Sequence, residues 1–346
     1  MSDSDGRMAA GSGAGVGFDE RGFLRNVRRR SLARAVGVSA AVVVVLAAIA
    51  LVGVYAWARA TLAASDRIDS YYPDLVAVSH PNTRLLPTSK GHWRLPGAAN
   101  EYVAMRLVGA RPVAAGTYAV DYDIWHGELL RGYDERWSVE TDRTYRGSAL
   151  VPELRIVDAM SEAAKNGGTM HDATGTDVRA LTARESEASL RRLDAAPASS
   201  TAELAVSFNG LLSASDLTAL ESSGATLAWG AVNVWDPARA PFVPTDNPGG
   251  LVGVPFVSAP WASAETSAPL PPGEAEADTL ATLRRISSLA RGATARATAA
   301  SAGYLAANGF HYYGAVFTGP PAALSRIVRD VRVTAVSCGL VVAPWE

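Results

Sequence analysis

The chain has 346 residues, a formal net charge of −2 and 48% hydrophobic residues, enough for one large folded unit or two of ordinary size. The near-neutral charge gives no reason to expect direct nucleic-acid binding by the whole chain. A single cysteine, Cys338, excludes an intramolecular disulfide, a thiolate zinc knuckle and a Cys-x-x-Cys redox pair.

Residues 1–34 predict a basic arm that is partly disordered. Residues 1–17 are small, polar and glycine-rich, which is typical of a disordered tail. Residues 18–34 predict a short helix with Phe23, Leu24 and Val27 on one side and arginines elsewhere. Two hypotheses are open: the arginines set topology and bind anionic lipid headgroups, or Phe23, Leu24, Val27 and Arg28 bind a cytoplasmic protein.

Residues 35–58, AVGVSAAVVVVLAAIALVGVYAWA, predict an uncleaved transmembrane helix. The segment is uncharged and spans about 36 Å at about 1.5 Å per residue, enough to cross a bilayer. A cleaved signal peptide is the rival, but its apolar region would be only about 7–15 residues long. Arginines dominate the N-terminal flank, so we expect a single-pass protein of the cell membrane with a cytoplasmic N-terminus and residues 60–346 outside.

Residues 65–197 predict a first extracytoplasmic α+β domain. Strands are expected where β-branched and aromatic residues concentrate, and helices where apolar residues recur at helical spacing. The predicted strands are Glu101–Val108, Thr117–Trp125 and Trp137–Glu140, and the predicted helices are Val151–Ala164 and Asp177–Leu193. Glu187 and Arg191 are spaced for an i, i+4 ion pair. A Pro-Ala-Ser-Ser stretch at residues 197–200 predicts the domain boundary.

Residues 201–346 predict a second α+β domain. The predicted strands are Glu203–Phe208, Thr226–Val234, Tyr312–Phe317 and Val331–Val342, and the predicted helices are Ala214–Glu221, Glu274–Ala307 and Pro320–Arg329. A loop is expected over residues 236–272. Without this insertion and the long helix, the order is βαβ twice, which predicts a ferredoxin-like split βαβ sandwich.

The two halves of this domain both carry a Phe-x-Gly sequence before a helix, ending at Gly210 and at Gly319. A glycine between a strand and a helix can belong to a phosphate loop, an esterase elbow or a simple turn. Because the two stretches are alike in length and pattern, the sequence predicts equivalent strand-to-helix turns in an internal repeat.

Catalytic motifs are absent from the sequence: it has no Gly-x-Ser-x-Gly elbow, no Walker loop and no His-Glu-x-x-His. We therefore expect a non-enzymatic protein with no cofactor and no metal site. Cys338 lies in an apolar run and is predicted to be buried and inert. The alternative is an anchored hydrolase or a cation site built from the polar residues Asp121, Asp123, His126, Glu128, Asp134 and Glu135. Alternating polar residues are also typical of the solvated face of an antiparallel sheet, which is the favoured interpretation.

Several segments resemble, in their order, the bacterial sigma factor regulator family. They are the arm FDERGFLRNVRRRSLARAV, the membrane span, His80-Pro81-Asn82, and the stretches LAVSFNGLLSASDLTAL, LAWGAVNVW, YLAANG, YYGAVFTGPPAALSRI and VTAVSCGLVVAP. The resemblance implies a membrane-anchored protein with N- and C-terminal regulator domains that restrains an extracytoplasmic-function sigma factor.

The expected function is therefore signalling, with two roles left open by the arm. Residues 1–34 contain neither histidine nor cysteine, whereas many anti-sigma factors carry a zinc motif in a larger cytoplasmic domain. The chain is expected either to bind a sigma factor or to act on its regulatory protein, while the outer domains bind an extracytoplasmic ligand or protein. The alternative is an envelope structural or assembly protein whose outer domains bind wall or secretion components.

Overall fold

The computed structural model describes residues 20–94, 97–109, 111–122, 133–134, 176–221, 224–234, 252–257 and 268–344. The chain separates into two units, residues 1–59 and residues 60–346. The predicted strand Trp137–Glu140 and the predicted helix Val151–Ala164 lie outside the described residues. The predicted domain boundary at residues 197–200 stays a prediction.

Helix α1 runs from Glu20 to Ser79 and is 60 residues long. Its most apolar 18-residue window is not buried, and by length and composition the helix is able to cross a membrane. The second part of α1 belongs to the 60–346 unit, where Tyr71, Tyr72 and Leu75 are buried. Pro73 lies among these buried residues. A proline inside a helix loses one backbone hydrogen bond, and the packing of its neighbours offsets that loss.

The first sheet contains β1 (Thr83–Arg94), β2 (Gly97–Val108), β3 (Arg111–Tyr122) and β4 (Tyr133–Asp134), in that spatial order. All neighbouring strands are antiparallel. The predicted strand Glu101–Val108 is confirmed within β2, and the described part of the second predicted strand lies in β3. Strand β1 was not predicted, because its Pro87 and polar Thr88, Ser89 and Lys90 weaken the alternating pattern.

The second sheet has the order β7-β6-β8-β5-β9, and every neighbouring pair is antiparallel. Its strands are β5 (Thr201–Leu212), β6 (Thr226–Val232), β7 (Gly253–Pro255), β8 (Tyr312–Gly319) and β9 (Val333–Val342). Its helices are α2 (Thr176–Ala195), α3 (Ala214–Thr218), α4 (Pro272–Leu289), α5 (Gly292–Asn308) and α6 (Pro321–Val328). An antiparallel α+β arrangement is thus confirmed.

Two details of the predicted second domain are wrong. The predicted loop over residues 236–272 contains β7, a strand of three residues that pairs with β6. The single predicted helix Glu274–Ala307 is two helices, α4 and α5, because Ala290 adopts an extended backbone and Gly292 a left-handed one with φ of +60°. Neither backbone state continues an α-helix.

The two faces of the second sheet carry different side chains. Leu204, Val206 and Phe317 lie on one face, in a buried cluster that also contains Leu217 of α3 and Leu324 of α6. Strand alternation places Glu203, Ala205 and Ser207 of β5 on the opposite face. Both faces are buried, since every residue from Ala202 to Phe208 is buried.

The two glycines of the predicted repeat are not equivalent. Gly210 lies inside β5, which continues to Leu212, and the helix that follows is capped by Ser213. Gly319 ends β8, where an added Cβ would lie 2.4 Å from the carbonyl oxygen of Gly224. Gly319 is thus required by a close backbone approach, whereas Gly210 is not, and the prediction of two equivalent strand-to-helix turns is wrong.

Helix α2 lies along β9, the edge strand of the second sheet. Ser186 Oγ accepts from the amide of Val336 at 3.1 Å, and Ser189 Oγ accepts from the amide of Cys338 at 3.0 Å. Side chains of α2 therefore satisfy edge groups that could otherwise pair with another strand. The predicted helix Asp177–Leu193 is confirmed, as is its predicted Glu187–Arg191 ion pair, at 2.8 Å.

Candidate functional site

The predicted partner-binding residues lie on the first turns of α1. The side chains of Phe23, Leu24 and Val27 are 54%, 56% and 47% exposed, and Arg28 is also exposed. Phe23 and Val27 are four residues apart, as are Leu24 and Arg28, so each pair lies one above the other on the helix surface. The helix therefore brings the four residues together as one surface, which we call the arm patch.

The arm patch lies in a strongly basic segment. Residues 20–34 contain six arginines and one acidic residue, Glu20. An apolar patch surrounded by arginines suits an acidic protein surface or an anionic membrane surface.

In the 60–346 unit, the C-terminal part of α1 is held against β2 by polar contacts. Ser65 Oγ donates to Asn100 Oδ1 at 2.7 Å, and Asn100 Nδ2 donates back to the backbone oxygen of Ser65 at 3.1 Å. Tyr102 OH donates to Asp69 Oδ1 at 3.2 Å. The rings of Tyr72 and Tyr102 lie 5.8 Å apart. Because buried hydrogen bonds of this kind are geometrically specific, they fix how α1 meets the first sheet.

The end of α1 also contacts the second sheet. Trp229 Nε1 donates to the backbone oxygen of Ala77 at 3.1 Å, and the indole is almost fully buried. An added Cβ on Gly253 of β7 would lie 1.9 Å from Trp229 Cζ2, so only glycine leaves room for the ring. Nearby, Asp74 of α1 forms an ion pair with Arg285 of α4. Burial raises the pKa of Asp74, against the attraction of Arg285 and Arg84.

A buried polar cluster joins the turn after α1 to both sheets. Asn82 Nδ2 donates to Glu203 Oε1 at 2.6 Å and to the backbone oxygen of Leu107 at 2.8 Å. Arg106 Nη1 of β2 lies 3.6 Å from Glu203 Oε2, and both side chains are almost fully buried. The backbone amide of Leu340 donates to the same oxygen at 3.3 Å. We call Asn82, Arg106 and Glu203 the buried cluster.

The buried cluster was missed in the sequence, although two signals pointed to it. Asn82 belongs to the His80-Pro81-Asn82 motif, and its φ of +48° is a left-handed conformation that asparagine tolerates better than most residues. Glu203 is the only charged residue of β5. A carboxylate inside an otherwise apolar buried strand needs a partner, which is the general signal for such a cluster.

Tyr312 and Cys338 both lie in the core of the 60–346 unit. Tyr312 OH donates to Glu276 Oε1 at 2.8 Å, while the Tyr312 ring packs 5.8 Å from the Phe256 ring. Burial raises the pKa of both Glu276 and Tyr312. Cys338 is buried, as predicted, and burial raises the pKa of its thiol to about 11.

The predicted acidic cluster falls mostly outside the described part of the chain. Asp121 and Asp134 lie in the paired strands β3 and β4, whereas Asp123, His126, Glu128 and Glu135 lie outside the described residues. Among the residues that the structure describes, no three His, Cys, Asp or Glu side chains are grouped to hold a metal ion.

Comparison with known proteins gives no match to a family model, to a curated protein or to a solved structure. The features of the chain that bear on its function are therefore the geometry of α1, the arm patch and the buried cluster.

Proposed function

We propose that the chain is a single-pass membrane regulator of an extracytoplasmic-function sigma factor, acting either as an anti-sigma factor or as an accessory protein. In this proposal, residues 60–346 sense an envelope signal and the arm binds the sigma factor or its regulatory protein in the cytoplasm. The observation that carries the proposal is α1, an unbroken helix with an exposed apolar and basic arm near its start and a hydrogen-bonded, buried segment at its end.

The membrane location rests on the composition of α1. The window that is long and apolar enough to span a bilayer is not covered by protein, and exposing it to water would be unfavourable. Six arginines on the N-terminal side favour retention of that flank in the cytoplasm. The proposal thus places the arm patch in the compartment where transcription factors are found.

We further propose that the second sheet and its two short helices are a ferredoxin-like module. Strands β5 and β6 are joined through α3, and β8 and β9 through α6. The central order β6-β8-β5-β9 is the order that a split βαβ sandwich requires, and β7 extends the sheet beyond β6. The module by itself does not indicate a particular chemistry, since one fold serves many functions.

Binding to sigma factors provides the test of the arm. The full-length chain is assayed pairwise in cells against each sigma factor of the host and its known regulators. We expect Phe23→Ala with Val27→Ala to weaken binding about tenfold or more, as removal of apolar anchors does. Leu32→Ala is the control for loss of an exposed apolar side chain elsewhere on the arm, because Leu32 is 68% exposed and lies about 140° and 180° around the helix from Val27 and Phe23, the two residues replaced.

The outcome in cells completes the test. Deletion of the gene should raise transcription of one sigma regulon, and the double arm variant should reproduce that effect while Leu32→Ala should not. Absence of binding to every sigma factor and regulator, together with an unchanged transcript profile, would overturn the proposal. Binding to wall or secretion components instead would favour an envelope assembly protein.

A further inference from the structure

We infer that the buried cluster is a conformational latch, which holds the turn after α1 on both sheets and opens as one unit. The inference rests on the proposed function, because the latch would be the step by which the sensing region acts on α1. Its geometry can be tested independently of any sigma factor.

A break in strand pairing gives Glu203 its position in the latch. Ala202 is opposite Val341 and Leu204 is opposite Cys338. Between these two pairs β5 has one residue, Glu203, whereas β9 has two, Gly339 and Leu340. This is a β-bulge, an arrangement that redirects side chains and frees ladder groups. The freed amide of Leu340 donates to Glu203 Oε2, so the carboxylate takes the place of a missing strand bond.

The charges make partial opening unfavourable. Glu203 is fully buried and the Arg106 side chain is 4% exposed, and they belong to strands of different sheets. Separating a buried ion pair without access to water leaves two uncompensated charges, whereas complete opening hydrates both. A cluster of this kind therefore favours either the fully closed or the fully open arrangement, which is the property of a latch.

Asn82 connects the latch to α1. It follows the last residue of the helix, Ser79, by three positions and contacts the first sheet through Leu107 and the second through Glu203. If the end of α1 moves away from the sheets, Asn82 must leave both partners. Loss of the Asn82 amide should therefore free all three segments that meet at Glu203.

Amide hydrogen exchange of the full-length chain in phospholipid nanodiscs tests this cooperation. Asn82→Gly removes the side-chain amide while glycine keeps the left-handed backbone. We expect exchange in residues 80–84, 105–108 and 339–342 to increase together by about tenfold or more, the factor that matches one lost charged hydrogen bond. A local structural bond would raise exchange in residues 80–84 alone, and that result would overturn the inference.

Two further variants sharpen the result. Asn209→Gly is the control: it removes an asparagine side-chain amide of β5 that donates to the backbone oxygen of Val331 at an exposed position. This variant should leave hydrogen exchange in the three segments unchanged. Glu203→Gln keeps the shape and removes the charge, so it should open the same segments. The double variant Glu203→Gln with Asn82→Gly should increase exchange by less than the two single effects combined, because both substitutions would act on one shared opening. Additive effects of the two substitutions would contradict a shared opening.

Failure of the latch and failure of the proposed function are distinguishable. Exchange reports the latch without any partner, while sigma-factor binding by the arm reports the function. If both hold, Asn82→Gly should change the transcription of the bound sigma factor's regulon, and Asn209→Gly should not. An unchanged regulon with cooperative exchange would show that the cluster opens but does not regulate, which would also overturn the inference.

Discussion

Replacing Gly319 and Gly210 by alanine compares two glycines that look alike in sequence and differ in their surroundings. At Gly319 the new Cβ would lie 2.4 Å from the Gly224 carbonyl oxygen and 2.9 Å from the Ala225 Cα. These are backbone atoms, so relief requires the strand end and the segment at residues 224–225 to move apart. At Gly210 no atom lies within 4 Å of the added Cβ.

The comparison isolates the cost of the clash. Alanine restricts the unfolded chain equally at both positions, a gain of about 0.4–1 kcal/mol where the folded backbone tolerates it. Gly210→Ala should therefore be neutral or slightly stabilising. Gly319→Ala should lose about 1–3 kcal/mol relative to Gly210→Ala, the usual cost of overpacking a buried site. At about 2–4 °C per kcal/mol, the two melting temperatures should differ by about 2–12 °C.

Thermal unfolding of the full-length variants in detergent micelles, followed by intrinsic fluorescence, measures this difference. Gly319→Ser provides a check, because any side chain with a Cβ should meet the same oxygen. Melting temperatures of Gly319→Ala and Gly210→Ala within about 1 °C of each other would refute the argument, since a clash of the usual cost shifts melting by more than that.

Three further expectations follow from single groups. At pH 8, a thiol reagent should modify Cys338 at least about 100-fold more slowly in the folded chain than in the unfolded chain, because burial both shields the thiol and raises its pKa from 9.0 to about 11. Asp330→Asn should cost up to about 1 kcal/mol near neutral pH. Because Arg332 lowers the pKa of Asp330 to about 2, denaturant titrations should show this cost disappearing as pH falls from about 4 to about 2. Arg191→Ala should cost only about 0.3–0.5 kcal/mol in the same titrations, since its partner Glu187 is also exposed.

The sequence predicted the elements whose signal is local. Strong β-branched and aromatic runs identified at least half of each of β2, β5, β6, β8 and β9. Capping or turn residues located α2, α3 and α6 within a few residues. The arm patch was also accessible, because helical spacing alone brings Phe23, Leu24, Val27 and Arg28 together. Its partner stays a prediction.

Elements that depend on distant partners could not be predicted in this way. Strand β7 has three residues and exists because β6 and the Trp229 indole provide its neighbours, with Gly253 allowing the approach. The break between α4 and α5 depends on two backbone conformations at Ala290 and Gly292, which an alanine-rich helical pattern does not indicate. The buried cluster depends on residues as far apart as Asn82 and Glu203, which only the tertiary fold brings together.

The spacing of the contacts between α1 and β2 limits how a signal could travel along the helix. Ser65, Asp69 and Tyr72 follow the i, i+4, i+7 pattern of one helical face, and their partners Asn100 and Tyr102 lie on one face of β2. Rotating the helix by one residue position, about 100°, would remove all three contacts at once. Rotation of α1 against the first sheet is therefore unfavourable while the latch is closed. A signal that moves α1 must either disrupt the contacts of Ser65, Asp69 and Tyr72 with β2 or first release the helix end at Asn82. The second route requires the latch to open together with the loss of the Trp229–Ala77 hydrogen bond and the Asp74–Arg285 ion pair. Cooperative opening of the latch is therefore the first property to measure on this route.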